Sequence, residues 1–346
     1  MSSIGILGTG TWGVALARML SKSGHEVACW SAIPQEIDTL CEKHEHPNLP
    51  GVAIPEGICF TKELAEACRD RDIVLFAVPS VFLRQTAAKA RPFIPDGQIV
   101  ADVAKGIEKD TLMTLSEVIA DELNRDGKHA GVKVVALSGP THAEEVAIDL
   151  PTTIVSACAD ETAAELVQDV FMNTCMRVYT NTDIRGVELC GALKNIIALA
   201  AGISAGLGYG DNTKAALITR GLAEMERLGL CMGCRAETFA GLAGMGDLIV
   251  TATSRHSRNN RAGFLIGQGV PPQEAVRQIG MVVEGINALP AAMTLAKRYD
   301  VEMPIVQAVD AVVSGGADPA DAVAKLMQRE KRTEARGVRR RGEAGV

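Results

Sequence analysis

Three groups of residues in this chain have types and spacings that could do chemistry. The first is Gly8-Thr9-Gly10-Thr11-Trp12-Gly13, a G-x-G-x-x-G run between the apolar stretch Ile4 to Leu7 and a helical pattern of Val14, Ala15, Ala17 and Met19. In that setting the first glycine permits a tight turn and the second lets a pyrophosphate approach the backbone. The third lets the helix pack closely on the strand. Free N–H groups at the helix start would then face the anion, supported by the helix dipole. The second group is Lys194, the only charged residue between Glu188 and Asp211. It is either a snorkelling side chain with its head in water or an acid/base group in apolar surroundings. The third is Ser257-Arg258-Asn259-Asn260-Arg261, preceded by Arg255 and by Gly244-Met245-Gly246-Asp247. Arginine forks beside hydroxyl and amide donors suit a phosphate monoester, although an ordinary solvated loop has the same composition.

Elements that would position these groups are visible in the hydrophobic pattern. Glu26 to Trp30, Asp72 to Val78, Gln98 to Asp102 and Val132 to Leu137 read as further strands with helical patterns between them. Thr152 to Ala157 and Arg177 to Thr180 would complete a doubly wound parallel sheet of the α/β, Rossmann-like kind. From Ile184 onward long alanine- and leucine-rich helical segments take over, so an all-helical second domain is expected. The division is a dinucleotide-binding domain over 1–183, a helical substrate-binding and catalytic domain over 184–328, and a basic flexible tail over 329–346. Open α/β sheets bind ligands outside the carboxyl ends of their strands. That rule directs attention to Pro79-Ser80, to Lys105 beside Gly106, and to Ser138-Gly139-Pro140-Thr141. Thr141 and Glu144 have the spacing of a capping box, which predicts a helix opening at Thr141.

Bulk properties set limits. At 346 residues the chain suggests two domains, and 47% hydrophobic content is ample for a large core. A net charge of −7 argues against a nucleic-acid-binding surface. Nine scattered cysteines suit a reducing cytoplasm, and Cys231 and Cys234, without a second pair or a neighbouring histidine, suggest no metal site. The opening apolar run is broken by glycines and does not read as a signal peptide. The apolar stretch 191–210 carries Lys194, Asn195 and several glycines, which disfavours stable membrane insertion. Beyond β-strand two, Trp30-Ser31-Ala32 offers neither the Asp or Glu that would bond a ribose 2′-OH nor an Arg for a 2′-phosphate. On these side chains alone, preference between NAD and NADP is unresolved and the two should differ modestly.

Taken together, the motifs resemble the NAD(P)-dependent glycerol-3-phosphate dehydrogenases of bacterial type. The matching stretches are GTGTWG at 8–13, VLFAVPS at 74–80, KGIE at 105–108, SGPTHAEEV at 138–146, GALKNIIALAAGI at 191–203, GLAGMGDL at 241–248, SRNNR at 257–261 and VVEG at 282–285, in family order. The resemblance implies a Rossmann-like domain followed by a helical one. It further implies that Gly8, Gly10, Thr11, Trp12, Gly13, Ser31, Lys105, Ala143, Arg258, Val282 and Glu284 bind NAD or NADP. Lys105, Gly139, Thr141, Lys194, Asp247, Ser257, Arg258 and Asn259 would hold the substrate, and Lys194 would be the catalytic proton donor and acceptor. His142 stands where phenylalanine is common, and Ser31-Ala32 lacks the usual basic residue after the second strand.

The implied reaction is reversible reduction of dihydroxyacetone phosphate to sn-glycerol 3-phosphate for glycerophospholipid biosynthesis in the cytoplasm, with a homodimer left open. An ordinary lysine, with a pKa of about 10.4, is already protonated for reduction near pH 7, and a neighbouring cation at Lys105 would lower that value. A β-hydroxyacid dehydrogenase of related fold is the alternative. That group usually has a doubled glycine after the serine, where this chain has Ser138-Gly139-Pro140, and needs no phosphate cluster. A non-enzymatic dinucleotide sensor would explain the glycine turn but not Lys194, Asp247 and Arg258 together, and a scaffold role explains none of them.

Overall fold

The structure is a computed structural model, describing residues 1–331 and 333–334. Eight strands form one sheet: β1 (Ser3–Leu7), β2 (Glu26–Trp30), β3 (Cys59–Thr61), β4 (Ile73–Phe76), β5 (Ile99–Asp102), β6 (Lys133–Ser138), β7 (Thr152–Ala157) and β8 (Met176–Asn181). Their spatial order is β3-β2-β1-β4-β5-β6-β7-β8. The chain therefore winds outward from β1 in one direction, returns, and winds from β4 in the other. The crevice between the ends of β1 and β4 is the switch point where such sheets bind ligands.

Helices α1 (Thr11–Lys22), α2 (Pro34–Lys43), α3 (Leu64–Cys68), α4 (Leu83–Ala90), α5 (Leu115–Leu123), α6 (Ala143–Val146) and α7 (Glu161–Phe171) accompany the strands. Burial on both faces explains the continuous apolar strands. Ile4, Ile6, Val27, Cys29 and Leu75 pack with α1, while Leu7, Val74, Phe76 and Val100 pack with α4 and α5. The three-residue β3 carries no apolar run, so its pattern gave no strand signal. The strands around Asp72 to Val78 and Arg177 to Thr180 form with slightly different ends.

One expectation is corrected. The sheet is mixed: β7 pairs antiparallel with β6, and β8 runs parallel to β7. Between β6 and β7 the only helix is the single turn α6, which rises about 6 Å, whereas a six-residue strand spans about 20 Å. The connection therefore leaves the chain at the edge where β6 ended, and β7 starts there. The expected helix start at Thr141 is also corrected. α6 begins at Ala143 behind His142, without a side-chain cap, and Thr141 Oγ1 instead donates to Gly139 O at 3.3 Å.

After β8 the chain is helical throughout its described residues. The helices are α8 (Ile184–Gly206), α9 (Asp211–Cys231), α10 (Ala236–Ala240), α11 (Asp247–Thr253), α12 (Arg258–Gly267), α13 (Pro272–Ile279), α14 (Glu284–Arg298), α15 (Pro304–Val313) and α16 (Pro319–Met327). A wide π-type turn, Leu242–Gly246, leads into α11. α8 is long and apolar enough to cross a membrane, yet it is the buried core helix of this half. Glycines let α12 lie directly on it. A Cβ on Gly202 would stand 2.1 Å from Asn260 O, and one on Gly263 would stand 2.1 Å from Leu199 O. This close crossing brings the start of α12 over the middle of α8. The basic tail expected over 329–346 falls largely outside the described residues.

Candidate active site

The glycine turn forms as its spacing requires. Gly8 has φ +125°, and a Cβ there would meet Ala77 O at 2.6 Å. A Cβ on Gly13 would meet Gly8 O at 2.1 Å, so helix and strand could not approach as they do. A Cβ on Gly10 would meet nothing within 4 Å, which leaves a backbone face open above the turn. α1 begins behind Gly10 with no side-chain cap and no acidic residue in its first turn. Unpaired N–H groups, a positive dipole end and an open glycine face fit a dinucleotide pyrophosphate. Thr11 Oγ1 accepts from Asn48 Nδ2 at 3.2 Å, and Trp12 packs beside the sheet core.

A second group lies where the sheet edge meets α8. Lys194, from the middle of α8, is 4% exposed, and Asp247, at the start of α11, is fully buried. Lys194 Nζ donates to Asp247 Oδ1 and, at 2.6 Å, to Thr251 Oγ1. Thr251 in turn donates to Asp247 O at 2.6 Å. Lys105, three residues beyond β5, donates to Asp247 Oδ2 at 2.7 Å and to Gly139 O at 3.1 Å. One carboxylate thus holds two ammonium groups. Each lysine has three N–H donors and engages two of them here, leaving one apiece for a ligand. The Lys105 stem runs past Gly191, where a Cβ would sit 3.4 Å from it and 3.1 Å from Ser138 Oγ. Burial lowers the Lys194 pKa to about 7, with Asp247 opposing the shift and Lys105 adding to it. The buried, paired ammonium replaces the snorkelling alternative: its head does not reach water.

The start of α12 is tied to α8 beside this group, through Asn259 and Asn195, the residue after Lys194. Arg258 opens α12, and its guanidinium makes no hydrogen bond among the described residues. Burial pulls its pKa down, against the pull of Glu284 and Glu144. Glu284, opening α14 just after Val282, accepts from Ser80 N at 3.2 Å and from Ser80 Oγ at 2.6 Å, tying the helical half to the loop after β4. Ser257 and Asn259 are engaged inside the fold. Ser257 Oγ accepts from Asn260 N at 3.2 Å. Asn259 donates to Asn195 Oδ1 at 2.9 Å and accepts from Gly285 N at 2.8 Å. Together they fix the start of α12. Ala143 opens α6, and the neighbouring His142 ring lies 5.8 Å from His256. The His142 Nε2 atom is buried without a hydrogen-bond partner among the described residues, and burial followed by the Lys194 charge lowers the ring's pKa.

Two members of these groups went unread in the sequence. Thr251 lies four residues after Asp247, one helical turn along the same face, a spacing that was available. Glu36 is a carboxylate at the end of β2, where the strand's own residues offer none. It comes from α2, beyond the strand-end positions, and is held by Thr9 and Ser31.

The sequence that forms this arrangement matches known family models over nearly the whole chain. Residues 3–164 match the family model for the NAD-dependent glycerol-3-phosphate dehydrogenase N-terminus, and residues 183–324 match that for its C-terminus. The chain belongs to this family. It is 69% identical over 334 residues to glycerol-3-phosphate dehydrogenase [NAD(P)+] 2 of Lactobacillus delbrueckii subsp. bulgaricus, covering 96% of this chain and 99% of that protein. Glycerol-3-phosphate dehydrogenase [NAD(P)+] of Agathobacter rectalis is 52% identical, covering 96% of this chain and 98% of that one. Among solved structures, glycerol-3-phosphate dehydrogenase from Coxiella burnetii superposes with a TM-score of 0.89 at 37% identity, over 95% of this chain and 99% of that one.

Proposed function

We propose that this family member catalyses the reversible NAD(P)H-dependent reduction of dihydroxyacetone phosphate to sn-glycerol 3-phosphate, feeding glycerophospholipid synthesis. The observation that carries the chemistry is the buried Lys194–Asp247–Lys105 cluster, with the unengaged Arg258 on the helix start that Asn259 ties to Asn195. NAD(P)H held at the glycine turn would supply the hydride for the carbonyl carbon. Lys194 directs its remaining N–H at the carbonyl oxygen, stabilises the developing negative charge and delivers the proton. Asp247 and Thr251 hold the ammonium in place, and Lys105 adds a second positive charge on the same side. Arg258 forks onto the substrate phosphate, with the Ser257 hydroxyl, Asn259, Gly139 and Thr141 completing the cradle. A lysine titrating near 7 supplies both the acid needed for reduction and the base needed for oxidation.

The cofactor contacts assigned to Gly8, Gly10, Thr11, Trp12, Gly13, Ser31, Lys105, Ala143, Arg258, Val282 and Glu284 belong to this same reading. So do the division into units 1–183 and 184–328 and a cytoplasmic location. It is supported by the positions of these residues along the sheet edge and by family membership. The test is NAD(P)H consumption on adding dihydroxyacetone phosphate, with 3-hydroxyisobutyrate and NAD as the contrast. Turnover of the second pair and not the first would favour the β-hydroxyacid alternative.

A further inference from the structure

The end of β2 carries a carboxylate that does not belong to the strand. Glu36, in the first turn of α2, reaches back so that its Oε2 accepts from Ser31 Oγ at 2.6 Å and from Thr9 Oγ1 at 2.7 Å. Ser31 is the first residue after β2, and Thr9 lies between the first two glycines of the turn. Both hydroxyls are buried, and Gly8 N donates to Trp30 O at 2.8 Å, so strand end and glycine turn lie side by side. Ser31 Oγ also accepts from Ile33 N at 3.1 Å, which fixes the hydroxyl that holds the carboxylate. Glu36 Oε1 has no hydrogen bond among the described residues. Lys62 pairs with Asp38, and Arg18 with Asp149. His46 also lies close to Glu36 and Thr9, and burial lowers its pKa.

We infer that Glu36 selects NADH over NADPH, its Oε1 accepting the 2′-OH of the adenosine ribose and its charge opposing a 2′-phosphate. The inference rests on the dinucleotide-dependent reading above and names which dinucleotide that site takes. In open α/β sheets the ribose lies beside the end of the second strand, where a carboxylate accepts from its hydroxyls. A 2′-phosphate would bring about 1.5 to 2 further negative charges to the same point. With two hydroxyls holding Oε2, the carboxylate could turn away only by losing both hydrogen bonds. Among the described residues no arginine bonds Glu36, Ser31 or Thr9. Ser31 thus acts by positioning Glu36 as well as by lying near the ribose.

The test is equilibrium binding to the full chain. NADH and NADPH are titrated by nicotinamide fluorescence, and ADP-ribose and 2′-phospho-ADP-ribose by calorimetry. Wild-type protein should bind the unphosphorylated member of each pair at least about tenfold more tightly. Glu36→Gln should bring each ratio to within about threefold, mainly by tightening the phosphorylated ligand, because the amide keeps the shape and loses the charge. Raising salt should narrow the wild-type ratio and leave that of the variant nearly unchanged. A wild-type ratio within threefold or favouring the phosphorylated ligands would overturn the inference, as would a Glu36→Gln ratio equal to that of wild type. The wild-type pairs need no variant to fold. Binding with the expected ratio but no oxidation on adding dihydroxyacetone phosphate would overturn the functional reading and leave Glu36 as the selector.

Discussion

At the scale of single residues, the proposed chemistry depends on how one carboxylate is shared by two lysines. Burial disfavours the Lys194 ammonium, and Asp247 restores part of what burial removes. Reduction needs the protonated form, so kcat for dihydroxyacetone phosphate should fall as pH rises through about 7, while oxidation of glycerol 3-phosphate rises through the same range. Lys105→Met takes away a charge that lowers the Lys194 pKa, and should move both profiles to higher pH. Paired pH–rate measurements on wild type and variant check the sign, and a shift to lower pH would contradict it. Lys194→Ala should lower kcat by about 10²- to 10⁴-fold while leaving dinucleotide Kd near that of wild type. Retention of a third of the activity would return Lys194 to a packing role. Arg258→Lys should raise KM for dihydroxyacetone phosphate strongly, since a point charge cannot make a bidentate contact. An equal loss toward unphosphorylated dihydroxyacetone would argue against a phosphate contact.

At the scale of elements, two helix contacts set the geometry and are open to measurement. α8 and α12 touch backbone to backbone through Gly202 and Gly263. Gly202→Ala puts a methyl where Asn260 O already stands, and should cost about 1–3 kcal/mol in denaturant unfolding. It should also raise KM for the phosphate substrate, because Arg258 moves with α12. Unchanged stability would mean the crossing can open without cost. Glu224 of α9 caps α15, its oxygens accepting from Ile305 N at 2.9 and 3.0 Å. Burial still raises its pKa from 4.5 to about 7 against those bonds. Between these values the folded chain holds a proton that the unfolded chain has lost, so this group's contribution to stability declines as pH rises through that window. The full decline would be roughly 3 kcal/mol. Glu224→Gln should flatten that slope in urea titrations at pH 5 and pH 8.

At the scale of the whole molecule, α8 carries Lys194 from the end of β8 to the proposed site. β7 and β8 run backwards and are displaced along the sheet, so Asn181 at the end of β8 pairs with Ala157, which lies opposite Ala136 near the end of β6, and α8 sets out from that level. Val187 packs with Val155 and Ala157 on the way, and Gly191 passes Ser138. Glu188 is buried against α5, accepting from Ser116 N at 2.7 Å and Ser116 Oγ at 2.6 Å. The central helix of the helical half is therefore also part of the packing of the sheet half. Calorimetric unfolding should show one cooperative transition, and two resolved transitions would mean the halves are energetically separate.

Local physics left a plain record in the sequence. Glycine spacing between a strand and a helix specified the tight turn, because a Cβ at Gly8 or Gly13 would strike backbone. The apolar runs Glu26 to Trp30 and Thr152 to Ala157 became strands with the same ends. An isolated lysine in an apolar helix marked Lys194 as unusual. Strand direction was not legible, since a strand's side-chain pattern is the same whichever way it runs. Nor was the Thr141 turn, where a capping-box spacing competed with a closer carbonyl acceptor at Gly139. The pairing of Lys194 and Lys105 on Asp247, and the placing of Glu36 at the end of β2, were decided by tertiary structure alone. Those contacts join residues on different elements, and the distance between charges exists only once the chain has folded.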